Sequence, residues 1–247
     1  MPPLLLLHGF PLDHTLWTPQ VEGLAGITEV IAPDLRGFGQ DGRAVPEAMT
    51  MEAYARDVKG LLDDRGIDRV VLGGLSMGGY VAMAFAEAWP ERLAGLLLIN
   101  TRATADDQAG KRGREDTAQR ALDQGMTVIA RAMVPTLLSE STRQRDPALA
   151  TSVEAMIARQ RPEAVAAASR GMALRPDMHA ALARLRAPAL VITGEQDTLM
   201  PLPTSLALQA TVPGAELVVI PGAAHLSNLE GPVAFNAAAG KFLATIA

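Results

Sequence analysis

Six short apolar runs, at Leu4 to Leu7, Val30 to Ala32, Val70 to Leu72, Leu96 to Ile99, Leu190 to Thr193 and Leu217 to Ile220, recur along the chain. Each is bounded by Gly, Pro or Asp, so they read as strands buried on both faces. Helical patterns separate several of them. After Thr50, the side chains of Tyr54, Val58, Leu61 and Leu62 share one face, and Gly66 is placed to end that helix. A second helix begins at Ser76, presents Tyr80, Val81, Ala84 and Phe85 to the sheet, and stops before Pro90. A last helix runs from about Pro232 to Ile246. Strand, helix, strand alternation predicts an α/β fold with a mostly parallel sheet.

Between Asn100 and about Leu185 the strand-like runs stop, and helix-spaced residues such as Leu122, Met126, Ile129 and Met133 take over among many charges. Pro135, Pro147, Pro162 and Pro176 divide this stretch into pieces the length of short helices. The expected organisation is a core of residues 1–100 and 186–247 with a helical lid, residues 101–185, inserted into it. A chain of 247 residues can bury one core of this kind without dividing further.

Composition narrows the chemistry. The net charge of −5 is scattered, with no basic face to neutralise a phosphate backbone, so nucleic acid is not an expected partner. There is no cysteine, which removes disulfides, thiolate metal sites and cysteine nucleophiles. The opening leucines are too few for a signal peptide and lack a preceding basic residue. No apolar run approaches the roughly 20 residues that span a bilayer. A cytoplasmic protein with no membrane partner is expected.

The segment Gly74, Leu75, Ser76, Met77, Gly78 fits G-x-S-x-G between a strand and a helix. Presenting a serine on so sharp a turn needs strained backbone, and side chains at Gly74 and Gly78 would collide with neighbouring elements. The Met77 amide falls at a helix start, where unpaired N–H groups favour a developing negative charge. His8, Gly9, Phe10 and Pro11 follow the first strand and leave the same carboxyl edge as Ser76, so the Phe10 amide can supply the second donor of an oxyanion hole. His8 itself, at the end of a buried strand, is read as bonding locally to hold that loop.

A serine hydroxyl needs a base, and the chain offers four histidines. His14 and His179 lack a strand-end position, whereas His225 lies in the loop leaving a predicted strand, which makes it the candidate base. For the carboxylate that orients it, both Glu195 and Asp197 follow another strand, and spacing does not separate them. The order Ser, acid, His across three strand ends is the strongest collective signal.

With these residues in place, the chain resembles the α/β-hydrolase superfamily over both its sheet segments and its helical lid. That resemblance makes Asp197 the preferred acid. The local words Ala224 to Glu230 and Asn100-Thr101 look like those of 3-oxoadipate enol-lactonases and related small carboxylesterases. Relatives commonly carry a hairpin before the first strand, which here follows Met1, Pro2 and Pro3 directly, so the N-terminal hairpin is expected to be missing. They also commonly have serine at the end of the loop Asp34 to Asp41, where this chain has Asp41; that loop is read as structural, with Arg36 pairing locally.

The resemblance implies a serine hydrolase of small-molecule esters or lactones, working through an acyl-enzyme and requiring no metal or organic cofactor. Same-fold perhydrolase or lyase chemistry, or a ligand receptor with little turnover, remains open beside it. A haloalkane dehalogenase would have aspartate where Ser76 stands. The match of Gly37 to Gly42 with G-x-G-x-x-G does not open a helix, as a dinucleotide cradle must. In the lid, Met126, Met133, Met156 and Met172 offer an adaptable apolar wall or simply pack it. Arg102 either meets a substrate carboxylate, as an enol-lactone would require, or is a solvated surface side chain.

Overall fold

Each apolar run becomes a strand of one sheet: β1 (Leu4–Leu7), β2 (Val30–Ile31), β3 (Val70–Leu75), β4 (Leu93–Ile99), β5 (Ala189–Gly194) and β6 (Glu216–Ile220). The computed structural model describes residues 1–246. The spatial order is β2-β1-β3-β4-β5-β6, and every neighbouring pair is parallel. The expected mostly parallel sheet is thus parallel throughout, and no antiparallel hairpin joins it among the described residues.

Every residue of β1, β3, β4 and β5 is buried, because helices cover both faces. The edge strand β6 is only partly covered until Ile220. Burying a Leu or Val side chain contributes about 1.5–3 kcal/mol, so these central strands hold much of the apolar driving force.

The core helices are α1 (Thr18–Leu24), α2 (Met51–Asp64) and α3 (Met77–Ala88). The α2 helix starts where Thr50 Oγ1 accepts the Ala53 N–H, and it ends before Gly66, whose φ of 64° suits glycine. Between β4 and β5 lie α4 (Gln108–Gln124), α5 (Met126–Leu137), α6 (Glu140–Arg145), α7 (Pro147–Ala158), α8 (Pro162–Ala173) and α9 (His179–Leu182). The chain closes with α10 (Leu202–Thr211), α11 (Ser227–Glu230) and α12 (Pro232–Leu243).

Two details differ from the sequence expectation. Pro135 lies inside α5, in its last turn, and ends nothing by itself; Pro147 and Pro162 instead sit in the first turns of α7 and α8, where a missing N–H costs no helical bond. Leu122 is on α4, separated from Met126 by Gly125 at φ 76°, and is 41% exposed. The single apolar stripe expected through Leu122, Met126, Ile129 and Met133 is therefore split between two helices.

In the inserted stretch α4 packs on α8, and α5 on α7. Two buried carboxylates brace it, Asp13 from outside the stretch and Asp106 from within it. Asp13 receives Arg159 at 2.7 Å and the Gln160 amide at 2.9 Å. Burial alone would raise its pKa, but the Arg159 and Thr15 hydrogen bonds prevail and lower it to about 2. Asp106, just after β4, pairs with Arg175 beyond α8 and with Arg114 of α4. No helix among the described residues is long and apolar enough to cross a membrane.

Packing predicts opposite outcomes for two helical glycines. A Cβ at Gly171 of α8 would overlap the Met49 carbonyl, whereas one at Gly60 of α2 meets nothing within 4 Å. Gly171→Ala should lower unfolding stability by about 1–3 kcal/mol through overpacking. Gly60→Ala should raise it by roughly 0.5–1 kcal/mol through helix propensity. Urea midpoints of the two variants check both signs.

Candidate active site

Ser76 alone makes the turn between β3 and α3, at φ 53° and ψ −111°. A non-glycine residue held there costs about 1–3 kcal/mol, so its surroundings must over-determine it. They do: its N–H donates to the Ile99 carbonyl at 2.9 Å, and its carbonyl accepts the Thr101 hydroxyl at 2.8 Å. The flanking glycines permit the approach. A Cβ at Gly74 would overlap the Gly78 carbonyl, and a Cβ at Gly78 would overlap the Leu7 carbonyl of β1.

The loop after β1 packs directly against this turn. A Cβ on Gly9 would lie 2.7 Å from Leu75 Cδ2 and 3.6 Å from Ser76 Cβ, so the residues around Phe10 are held beside the serine. Among the described residues, neither the Phe10 nor the Met77 amide donates to another protein group. His8 holds the loop from below, since its Nδ1–H donates to the Gly9 carbonyl at 3.0 Å while Nε2 accepts the Leu35 N–H at 3.0 Å. Both ring nitrogens are thereby used by backbone, which fits the local reading made from the sequence.

Asp197, not Glu195, faces inward. Its Oδ2 lies 2.8 Å from His225 Nδ1 and accepts Asn100 Nδ2 at 2.7 Å. Its Oδ1 accepts the Leu199 and Met200 amides at 2.9 and 3.0 Å. Burial pushes this carboxyl upward, but the His225 bond and charge, Asn100 and the Met200 amide together hold it below the usual carboxylate range. An ionised Asp197 makes His225 Nδ1 the donor and leaves Nε2 as the acceptor. Glu195 instead turns outward and accepts the Gly222 amide at 2.8 Å.

Asn100, which the sequence offered only as a local word, is the hub of this corner. At φ 44° it ends β4, donates to Asp197 and to the Ala224 carbonyl, and accepts the Ser227 hydroxyl at 2.6 Å. The loops after β5 and β6 also touch directly, because a Cβ at Gly194 would overlap the Ala224 carbonyl. Glu230 adds a clamp to the inserted helices, accepting the Ala224 amide at 2.7 Å and the Ser139 amide at 2.8 Å.

Ser76 and His225 line one cavity of about 400 Å³. No hydrogen bond joins them among the described residues; such contacts often tighten only when substrate is bound. Phe10, Arg102, Met133 and Met172 line the same cavity, as do Tyr80, Arg114, Thr117 and Arg120, which the sequence did not single out for this role. Met126 and Met156 are buried but are not among its lining residues. Helical spacing on α4 could have grouped Arg114, Thr117 and Arg120, but not aimed them here.

The loop from Asp34 to Asp41 holds itself together. Arg36 pairs with Asp57 of α2, and Asp41, in the place where serine is common, accepts the Gly37 and Arg43 amides. No helix follows Gly42 until α2, so no dinucleotide cradle forms. Asp13, His14 and Asp34 bring possible metal-ligand atoms within 4.8 Å of one another. The Arg159 guanidinium already occupies Asp13, and His14 Nδ1 bonds Asp34, so a cation there would meet a competing positive charge.

Comparison with known proteins agrees with this fold. A family model described as alpha/beta hydrolase fold matches residues 2–232. A thermophilic esterase from Thermogutta terrifontis, solved with malate bound, superposes with a TM-score of 0.97 at 43% identity, covering 100% of this chain and 90% of that one. The enol-lactonase from Burkholderia xenovorans LB400 gives a TM-score of 0.91 at 28% identity, covering 98% and 91%. The provisionally named carbamate hydrolase RutD of Caulobacter sp. (strain K31) is 28% identical over 97% of this chain and 90% of its own length. The resemblance to α/β-hydrolases read from the sequence is borne out.

Burial of His8 lowers its pKa from 6.5, against smaller opposing contributions from the Gly9 bond and nearby carboxylates. The unfolded chain therefore binds more protons here than the folded one below that value, and stability present above pH 6.5 is lost as pH falls. Unfolding free energy measured by urea titration should decline between neutral and mildly acidic pH, with a shallower slope in His8→Gln.

Proposed function

Because the chain belongs to the alpha/beta hydrolase fold family, we propose that it is a serine hydrolase cleaving small carboxylic esters or lactones through an acyl-enzyme on Ser76. The observation that carries this reading is the corner where Ser76 and His225 share a cavity while Asp197 holds His225 Nδ1 at 2.8 Å.

In the proposed reaction the substrate carbonyl lies against Ser76, with its oxygen toward the Phe10 and Met77 amides. His225 Nε2 takes the Ser76 proton as Oγ bonds to the carbonyl carbon, and the carbonyl electron pair moves onto oxygen. Collapse breaks the bond to the alcohol oxygen, which receives the proton from His225. Water then loses a proton to the same nitrogen and attacks the acyl carbon; collapse returns Ser76 with its proton and releases the carboxylic acid. Asp197 keeps the imidazole in the required tautomer and stabilises its cation, and Asn100 fixes Asp197.

Helices α4 to α9 act in this reading as a lid whose apolar side chains exclude water from the acyl-enzyme. The esterase and enol-lactonase neighbours support ester and lactone carbonyls as substrates. The carbamate hydrolase relative supports adding a carbamate to the substrate panel, since the same nucleophile can attack that carbonyl.

Turnover of 4-nitrophenyl acetate tests the assignment. Ser76→Ala and His225→Ala should each lower kcat by about 10⁴-fold or more, and Asp197→Asn by roughly 10⁴-fold, with the circular dichroism spectrum retained. A folded Ser76→Ala protein that turned over at the wild-type rate would refute the assignment.

A further inference from the structure

The cavity in front of Ser76 carries positive charge that acyl transfer does not use. Arg102, Arg114 and Arg120 all line it, and no carboxylate does. Behind them Arg175 is buried, its guanidinium carbon 4.1 Å from the centre of the Tyr80 ring. Asp106 is the acid that answers this group, pairing with Arg102 at 2.5 Å, Arg114 at 2.9 Å and Arg175 at 2.7 Å. Asp106 is the one carboxylate that pairs with Arg102, Arg114 and Arg175 among the described residues, and Arg120 pairs with none.

The structural work of these arginines leaves donors over. Asp106 engages Arg102 through Nη2 and Arg114 through Nε alone, so each keeps unbonded N–H groups at the cavity. The Arg120 side chain makes no ion pair or hydrogen bond among the described residues, lines the cavity and is exposed. An independent sign comes from Tyr80, which is 3% exposed, lines the cavity and has a buried hydroxyl with no partner. A buried donor without an acceptor is costly, and an oxygen of a bound anion would satisfy it.

We propose that this wall is an anion subsite, and that the preferred substrates are esters or lactones carrying a second, non-reacting carboxylate. That carboxylate lies against Arg102, Arg114 and Arg120 with the Tyr80 O–H as a further donor, while the scissile carbonyl lies at Ser76. The carbon chain between them packs on Met133, Leu137, Met172 and Leu199. Guanidinium forks suit the planar carboxylate, and a site partly closed from water strengthens the attraction. The proposal rests on Ser76 being the nucleophile, and its test separates the two.

Two chromogenic esters of equal acyl length make the comparison, mono-4-nitrophenyl glutarate and 4-nitrophenyl valerate, each corrected for uncatalysed hydrolysis. The wild-type protein at low ionic strength should favour the anionic ester in kcat/KM by about tenfold or more, and added salt should erode that preference. Arg120→Gln, which breaks no contact of the fold, should cut the anionic-to-neutral ratio by about fivefold, Arg120→Glu further, and Arg120→Lys less than either. Glutarate should inhibit the wild type competitively and Arg120→Gln more weakly. A wild-type ratio at or below one, or a ratio unchanged in both Arg120→Gln and Arg102→Gln, overturns the subsite. Ser76→Ala assayed on the neutral ester tests the nucleophile separately, so that the subsite can fail while the hydrolase reading stands.

Discussion

Main-chain atoms approach one another around Ser76 and Asp197 more closely than any Cβ would allow, and the geometry of the site follows from that. Gly74 and Gly78 let the start of α3 press onto β3 and β1, Gly9 lets the first loop lie on Ser76, and Gly194 lets the Asp197 loop lie on the His225 loop. At Gly74, Gly78 and Gly194 the contact joins backbone to backbone, so a methyl group cannot be accommodated by a rotamer change, whereas at Gly9 the nearest atom is the end of the Leu75 side chain. The strained φ of Ser76 is affordable because these contacts, and its bonds to Ile99 and Thr101, leave the turn no relaxed alternative.

Polar bonding then turns proximity into a defined arrangement. Parallel strands deliver their carboxyl ends to one edge, but the side chains there could point anywhere. Asn100 restricts them by bonding the Asp197 carboxylate, the Ala224 carbonyl and the Ser227 hydroxyl together, so that β4 positions the loops after both β5 and β6. Asp197 accepts four hydrogen bonds, which keeps it ionised despite burial and so fixes which nitrogen of His225 carries the proton.

The inserted helices share the apolar core with the sheet, and buried charge adds direction to that packing. Asp13 with Arg159, and Asp106 with Arg114 and Arg175, are ion pairs whose acid partner is almost wholly buried. Such pairs add little net stability over apolar contacts, yet losing one member leaves a charge stranded, so they act mainly to fix where the helices dock. Glu230 serves the same end without a cation, bridging the amides of Ala224 and Ser139. The lining of the cavity, and the excess of guanidinium groups along it, are products of that docking.

By itself the sequence determined what depends on local pattern. Doubly buried strands need unbroken apolar runs, so β1, β3, β4 and β5 were legible, and the less covered edge strands β2 and β6 carry runs of the same kind; a sharp strand-to-helix turn needs small residues at fixed offsets, so Ser76 and its glycines were legible too. His225 was singled out by lying in the loop that leaves a predicted strand, once His8 was read as a brace for the first loop. What only the tertiary structure decided depends on where side chains point across long sequence separations. Asp197 and Glu195 occupy the same loop, and which of them turns inward is set by Asn100 and by two amides ahead of it, against the Gly222 amide that draws Glu195 away. Likewise Met126 fell away from the cavity and Arg114 and Arg120 entered it because α4 and α5 are separate helices, broken at Gly125, and their rotation is fixed by packing on α8 and α7. Periodicity reports that a helix has a face; only its neighbours determine what that face meets.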